Sequence, residues 1–208
     1  MKVFKTLSLT AVAVTAMAFI SAPSASATLN TLLCKVHQEP CPAASLPSSI
    51  HLVSGTMVLK TSLVTILCLG SLITGTPLGL GTAPSPQIIH LTQITWTGCG
   101  TNVAHNNCTV TTIAPGLLDI LRTALNLGTD KFLNMQIQMI CGEITSCTYG
   151  GAEVAGLIVE GALHTAEAGH GMFTANELSL PVVGGFLCAA TNKLTVLYEP
   201  LEHLFLVG

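Results

Sequence analysis

Eight cysteines, spread from Cys34 to Cys188, constrain this chain more than any other feature. Cys34, Cys41, Cys68, Cys99, Cys108, Cys141, Cys147 and Cys188 read as disulfides in an exported chain, and as metal or catalytic thiols in a cytosolic one. The start of the chain decides between them. Lys2 and Lys5 precede an uncharged apolar run, Leu7 to Ile20, and a small-residue series then ends in Ala25-Ser26-Ala27. That order is the pattern of a secretory signal peptide. Pro23 and its flanking serines close the apolar run before it reaches the roughly 20 residues of a membrane anchor. We therefore expect residues 1–27 to be removed after Ala27. The signal has a bacterial character, without twin arginines, and no small residue stands before Cys34 to make a lipid-attachment site. The expected location is secreted, periplasmic or at the cell surface.

Charge narrows the function classes. All ten acidic residues lie beyond Ala27, whereas Lys2 and Lys5 leave with the signal, so the mature chain is more acidic than the net −3 of the whole. The remaining Lys and Arg are scattered, and a nucleic-acid partner is excluded on that ground. Between Lys60 and Asp119 there is no Lys, Arg, Asp or Glu. The most membrane-like window in that stretch, Ser62 to Gly81, carries glycines, a proline, Thr and Ser, which suit strands better than a spanning helix. No membrane span is expected after signal cleavage. Irregular segment lengths also disfavour an outer-membrane barrel.

The dominant period is two. Leu133, Met135, Ile137 and Met139 alternate with Asn134, Gln136 and Gln138, with Cys141 in phase; Leu194, Val196 and Tyr198 alternate with Lys193 and Thr195; Val53, Met57 and Leu59 alternate with Ser54 and Thr56. Half-buried strands have this pattern, and Gly, Pro and Asn clusters punctuate them at short intervals. Residues 28–48, with Pro40, Pro42 and Pro47, read as an irregular lead-in, and 49–208 as a single all-β domain. One segment resists: in Gly116 to Gly128, Leu117, Leu118, Leu121, Ala124 and Leu125 would share a helical face, while Leu118 to Thr123 also reads as a strand. The fold class expected is a disulfide-stapled, Greek-key-like β-sandwich.

Candidates for chemistry are few. His164, Glu167 and His170 have the most metal-like spacing, but three-and-three is not the four-residue histidine spacing of a helical zinc hydrolase, and Ala168-Gly169 weakens a helix. His105 with Cys99 and Cys108 lacks a fourth ligand, and no C-x-x-C occurs. Trp96 could serve as a platform for a sugar, or simply as a core or edge residue. Asn107-Cys108-Thr109 matches a glycosylation acceptor that a bacterial protein would not use. No catalytic, cofactor or metal residue is assigned.

The elements WTGCGTNVAHNNCTVTT, ICGEITSCTYGG and LCAATNKLTVLYEP resemble those of a loose group of uncharacterised secreted bacterial β-proteins. The likeness covers roughly Gly55 to Val207. It implies a strand after C-T-V-T, which favours the strand reading of Leu118 to Thr123. It implies no catalytic residues. This chain departs from the group by carrying GLLDILR in place of a shorter Trp-containing run.

Hairpin geometry suggests the staples: Cys99 with Cys108 around GTNVAHNN, Cys141 with Cys147 around GEITS, and Cys34 with Cys41, leaving Cys68 to pair with Cys188. The function expected is a non-catalytic exported protein with a structural or interaction role, its partners components of the cell envelope or extracellular matrix. The alternatives are a secreted binding module for a small apolar or saccharide ligand, and a metal-dependent hydrolase using His164, Glu167 and His170.

Overall fold

The structure, a computed structural model, describes residues 31–79, 86–101, 108–124, 127–142, 145–160 and 172–207. The expected signal peptide and its cleavage point lie outside the described residues, as do His105, Asn107, His164, Glu167 and His170. The strands are β1 (Leu32–Cys34), β2 (Ile50–Ser54), β3 (Met57–Lys60), β4 (Thr65–Cys68), β5 (Gly70–Leu78), β6 (Gln87–Thr97) and β7 (Gly100–Thr101). They continue as β8 (Cys108–Ala114), β9 (Leu117–Ala124), β10 (Leu127–Cys141), β11 (Thr145–Glu160), β12 (Met172–Gly185), β13 (Thr191–Pro200) and β14 (Phe205–Val207). The described residues of 116–128 (116–124 and 127–128) are not helical. Leu118, Ile120 and Arg122 of β9 point inward and Leu121 and Thr123 outward, a period of two.

Registers run on from one short strand to the next. Ser54 opposes Ser71 and Met57 opposes Cys68, so β2 and β3 form one bent line paired with a second line made of β4 and β5. β6 and β7 follow that second line, and β8 and β9 run together along β10. With β11, β12 and β13, eight antiparallel lines succeed one another in chain order. β13 then pairs back onto β2 and β3. The sheet closes on itself. All-β and disulfide-stapled, as the sequence suggests, the chain is connected up-and-down rather than by strand-skipping Greek-key crossings. The physical reason is connection length: turns such as 61–64 reach only the adjacent line.

The interior is apolar, with Leu52, Leu59, Ile73, Ile120, Ile137 and Tyr198 all essentially inaccessible. Outward positions such as Thr109, Thr111, Lys131, Glu153, Lys193 and Glu199 are polar or charged and exposed. An outer-membrane barrel has the reverse arrangement. No helix among the described residues is long and apolar enough to cross a membrane, and Ser62 to Leu78 is largely β4 and β5.

Strict alternation breaks in mid-strand. Buried positions step from Leu52 to Met57, from Leu91 to Ile94, from Phe132 to Met135 and from Ala175 to Leu178. Asn134 and Glu177 take positive φ at two of these steps. The pairing shifts by one residue at the Leu91–Ile94 and Ala175–Leu178 steps, and each such extra residue bends its strand and raises its twist, which lets long lines wrap a narrow core. Gly150, at φ 131°, lies so close to the β10 backbone at Met135 that any side chain would collide with the Met135 carbonyl. We expect Gly150→Ala to cost more than about 2 kcal/mol in urea unfolding, since the strand cannot withdraw without opening the β10–β11 ladder.

The staples correct three of the four expected pairs. Cys34 bonds Cys41 as expected, but the others are Cys68–Cys99, Cys108–Cys141 and Cys147–Cys188, and no cysteine is free. Register is the reason. Cys108 directly opposes Cys141, whereas Cys141 opposes Thr145 and Cys147 opposes Met139, so Cys141 and Cys147 are offset along the ladder. Bridges therefore form across strand pairs whose chain connection lies at the far end of the barrel. Their separations of 31, 33 and 41 residues give about 4 kcal/mol each in the chain-entropy model, against about 2 for a short loop such as Cys34–Cys41. A non-reducing peptide map should return these four pairs, and a Cys99–Cys108 peptide would refute the register. Replacing both Cys108 and Cys141 by Ser should lower stability about twice as much as replacing Cys34 and Cys41.

Candidate binding mouth

The two ends of the barrel differ. At one end the lead-in forms a plug: β1 pairs with β14, and Leu33, Leu206 and Val207 are buried against the core. The Leu33 amide donates to Gln87 Oε1 at 2.6 Å, and the Arg122 amide donates to Thr31 Oγ1 at 2.9 Å. The Arg122 guanidinium, 3% exposed, meets Glu39 Oε1 at 2.6 Å. A buried guanidinium needs that carboxylate, so the plug is fastened by charge as well as by apolar contact. Arg122→Ala should destabilise by about 2–3 kcal/mol in chemical unfolding while leaving the opposite end intact. A cost below 0.5 kcal/mol (about the noise of a surface change) would show that the plug is not fastened there.

The opposite end carries the staples. There the chain joins β3 to β4, β7 to β8, β10 to β11 and β12 to β13. The disulfides Cys68–Cys99, Cys108–Cys141 and Cys147–Cys188 link the pairs in between. Around this rim one seam is held by hydrogen bonds alone, that between β13 and β3. Inside the rim is a cavity of about 250 Å³ lined by Leu63, Val64, Met139, Tyr149, Leu187 and Ala189, with Thr61, Thr101, Cys141 and Cys147. Burial raises the Tyr149 phenol above its ordinary pKa, opposed by a hydrogen bond with the Ala189 backbone.

Local chemistry fixes the lips. The Thr61 hydroxyl accepts from the amides of Leu63 (3.1 Å) and Val64 (2.9 Å) and lies 3.0 Å from the Val64 carbonyl. This side-chain-to-backbone turn holds Leu63 outward, 70% exposed. Across the mouth Phe186 and Leu187 are 74% and 63% exposed, and Leu187 takes φ 59°. Leu69, also strongly exposed, lies on the outer wall between β4 and β5, beside Gly98. Beside this rim, on the outer face, Lys60 directly opposes Lys193 across the β3–β13 seam. Lys193 Nζ contacts Glu177 Oε2 at 2.6 Å. The Lys193 hydrogen bond and charge, with Lys60 adding, hold the Glu177 carboxyl below its ordinary range. A cleft of about 270 Å³ runs along the seam, lined by Lys60, Thr61, Ser62, Glu177, Thr191 and Lys193.

The residues singled out from sequence are scattered. All eight cysteines are structural staples, and three of the four bonds frame the mouth. Trp96 is no free platform: its indole donates to Thr112 Oγ1 at 2.9 Å, and Thr112 donates to the Ile94 carbonyl at 2.8 Å, bridging β6 and β8 where no backbone ladder forms. Among the described residues no three His, Cys, Asp or Glu side chains are grouped to hold a metal. The lips themselves, Leu63 and Leu187, were not picked out from sequence. Their signal is present in retrospect as apolar residues next to polar turn formers, in Thr61-Ser62-Leu63 and Gly184-Gly185-Phe186-Leu187.

The chain matches no protein-family model, no curated protein and no solved structure. Its four disulfides are bonds of an oxidising compartment.

Proposed function

We propose that this is an exported, non-catalytic binding module of bacterial type that holds a small apolar ligand in the stapled mouth of its barrel. One observation carries the reading: an apolar cavity of about 250 Å³ sits at the end opposite the plug, inside a rim that three disulfides hold in shape. Ligand pockets are concave and mostly apolar with a few polar groups, commonly about 300–1,000 Å³, and the mouths of β-barrels are a frequent location. At about 250 Å³ this cavity falls just below that range and suits one chain or one ring. Preorganisation by covalent staples lowers the ordering cost of binding. A saccharide is less favoured, because the lining supplies few polar groups and Trp96 is engaged elsewhere.

A second reading, interaction with envelope or matrix components, is favoured by the exposure of Leu63, Phe186 and Leu187 around the same mouth. The uncharged fluorophore N-phenyl-1-naphthylamine separates the two. Its emission should rise on binding the protein, and Leu63→Ser with Leu187→Ser should weaken binding by about tenfold, as expected for losing two apolar contacts. Unchanged emission would remove the ligand reading and leave the interaction reading. Export has its own check: the N-terminus of protein recovered outside the producing cell should read TLNTLLC. Retention of the uncleaved chain in the inner membrane would contradict it.

A further inference from the structure

We infer that the ligand of the mouth is a free single-chain amphiphile with an anionic head, its tail in the apolar cavity and its head on Lys60 in the cleft beside it. This rests on the mouth being a ligand site. Three observations lead there. The first is continuity: Thr61 lines both the apolar cavity and the Lys60 cleft, so one turn separates a place for a tail from a place for a head.

The second is an unbalanced charge. Lys60 and Lys193 are direct cross-strand partners, and like charges so placed repel. Glu177 compensates Lys193 at 2.6 Å, and no carboxylate among the described residues forms an ion pair with Lys60. The cleft therefore carries one net positive charge in a chain that is acidic overall. The hydroxyl-bearing residues Thr61, Ser62 and Thr191 also line it, and can donate to anionic oxygens.

The third observation is where this repulsion sits. The β3–β13 seam is the one neighbour contact at the rim without a chain connection or a disulfide. An anion between the ammonium groups would relieve the repulsion at that seam, so the site gains from a bound head what it lacks in covalent closure. A neutral ligand would fill the cavity and leave Lys60 unanswered. A tail longer than the cavity would continue over Leu63 and Leu187.

The test uses the full mature chain, with N-phenyl-1-naphthylamine as reporter and decanoate or decanol as competitor. Decanoate should displace the reporter at lower concentration than decanol. Lys60→Gln should weaken decanoate about threefold to tenfold, as for an exposed charge-assisted contact, and leave decanol unchanged. Glu177→Gln should act in the opposite direction, because it frees Lys193 for the head. Added salt should weaken decanoate selectively. Equal displacement by the two competitors, or decanoate binding indifferent to both substitutions, would overturn the anionic head while the mouth remains a ligand site. Failure of the reporter itself to bind would overturn both. Protein that sediments with phosphatidylglycerol vesicles but releases no reporter to decanoate would place the anion in a membrane, and would likewise overturn a free ligand.

Discussion

Closure of the sheet where β13 meets β2 and β3 is the contact on which the rest depends. An open sheet of this length would expose two edges of unpaired amides and carbonyls. By pairing with β2 near Pro200 and with β3 near Lys193, β13 removes both edges and turns one face of every line inward. Only then do Ile73, Ile120 and Ile137, on lines distant in sequence, share one interior. The same contact buries Tyr198, whose hydroxyl meets Ser71 Oγ at 3.0 Å and whose pKa burial drives up. A buried phenol without that partner would cost about 1–3 kcal/mol, so this hydrogen bond fixes the register as well as filling the core.

Closure also explains why the staples lie where they do. Each chain connection already holds two neighbours together at one end of the barrel. A bridge between cysteines flanking a short turn would close a loop the chain closes anyway, with little gain. A bridge at the free end of a hairpin closes a long loop and stops its strands from splaying. Cys68–Cys99, Cys108–Cys141 and Cys147–Cys188 all lie at such ends, and all three fall on the same rim. The opposite rim has no disulfide between barrel lines; the plug of β1 and β14, itself stapled by Cys34–Cys41, fastens it with Arg122 and Glu39. One end is stiffened around a space and the other is filled.

The class of the fold was legible in the sequence, because period two survives within each half-strand: Met135, Ile137 and Met139 are buried as their alternation requires. The halves were harder to join. At Glu177 the chain spends a residue on a bulge, at Asn134 a positive φ turns the alternation over without one, and Val53, in phase by simple counting with Met57 and Leu59, sits on the other side of such a step. The ambiguous Leu117 to Ala124 shows the limit of periodicity for leucine-rich segments, in which helix and strand templates both find matches. Disulfide pairing failed for a different reason. Spacing along the chain favours partners across a turn, while the bond is made by partners across a ladder, and the register of β8 on β10 is set by the whole barrel.

The mouth was illegible because its parts mean nothing separately. Lys60 is an ordinary strand-end charge, Leu63 a turn residue and Lys193 the polar position of an alternating strand. Their meaning comes from closure, which sets Lys60 against Lys193 and brings the Thr61 turn to the rim facing Leu187. A sequence can bring together an apolar space, an unbalanced charge and a rigid rim without any motif, provided the barrel closes in a single register. The charge-free run between Lys60 and Asp119 then has a physical consequence: it supplies no Lys, Arg, Asp or Glu to the β4–β5 side of the mouth, while Lys60 and Lys193 line the cleft at the β3–β13 seam. Selectivity for charge at such a site would arise from position on the barrel wall, and the apolar interior would supply the affinity.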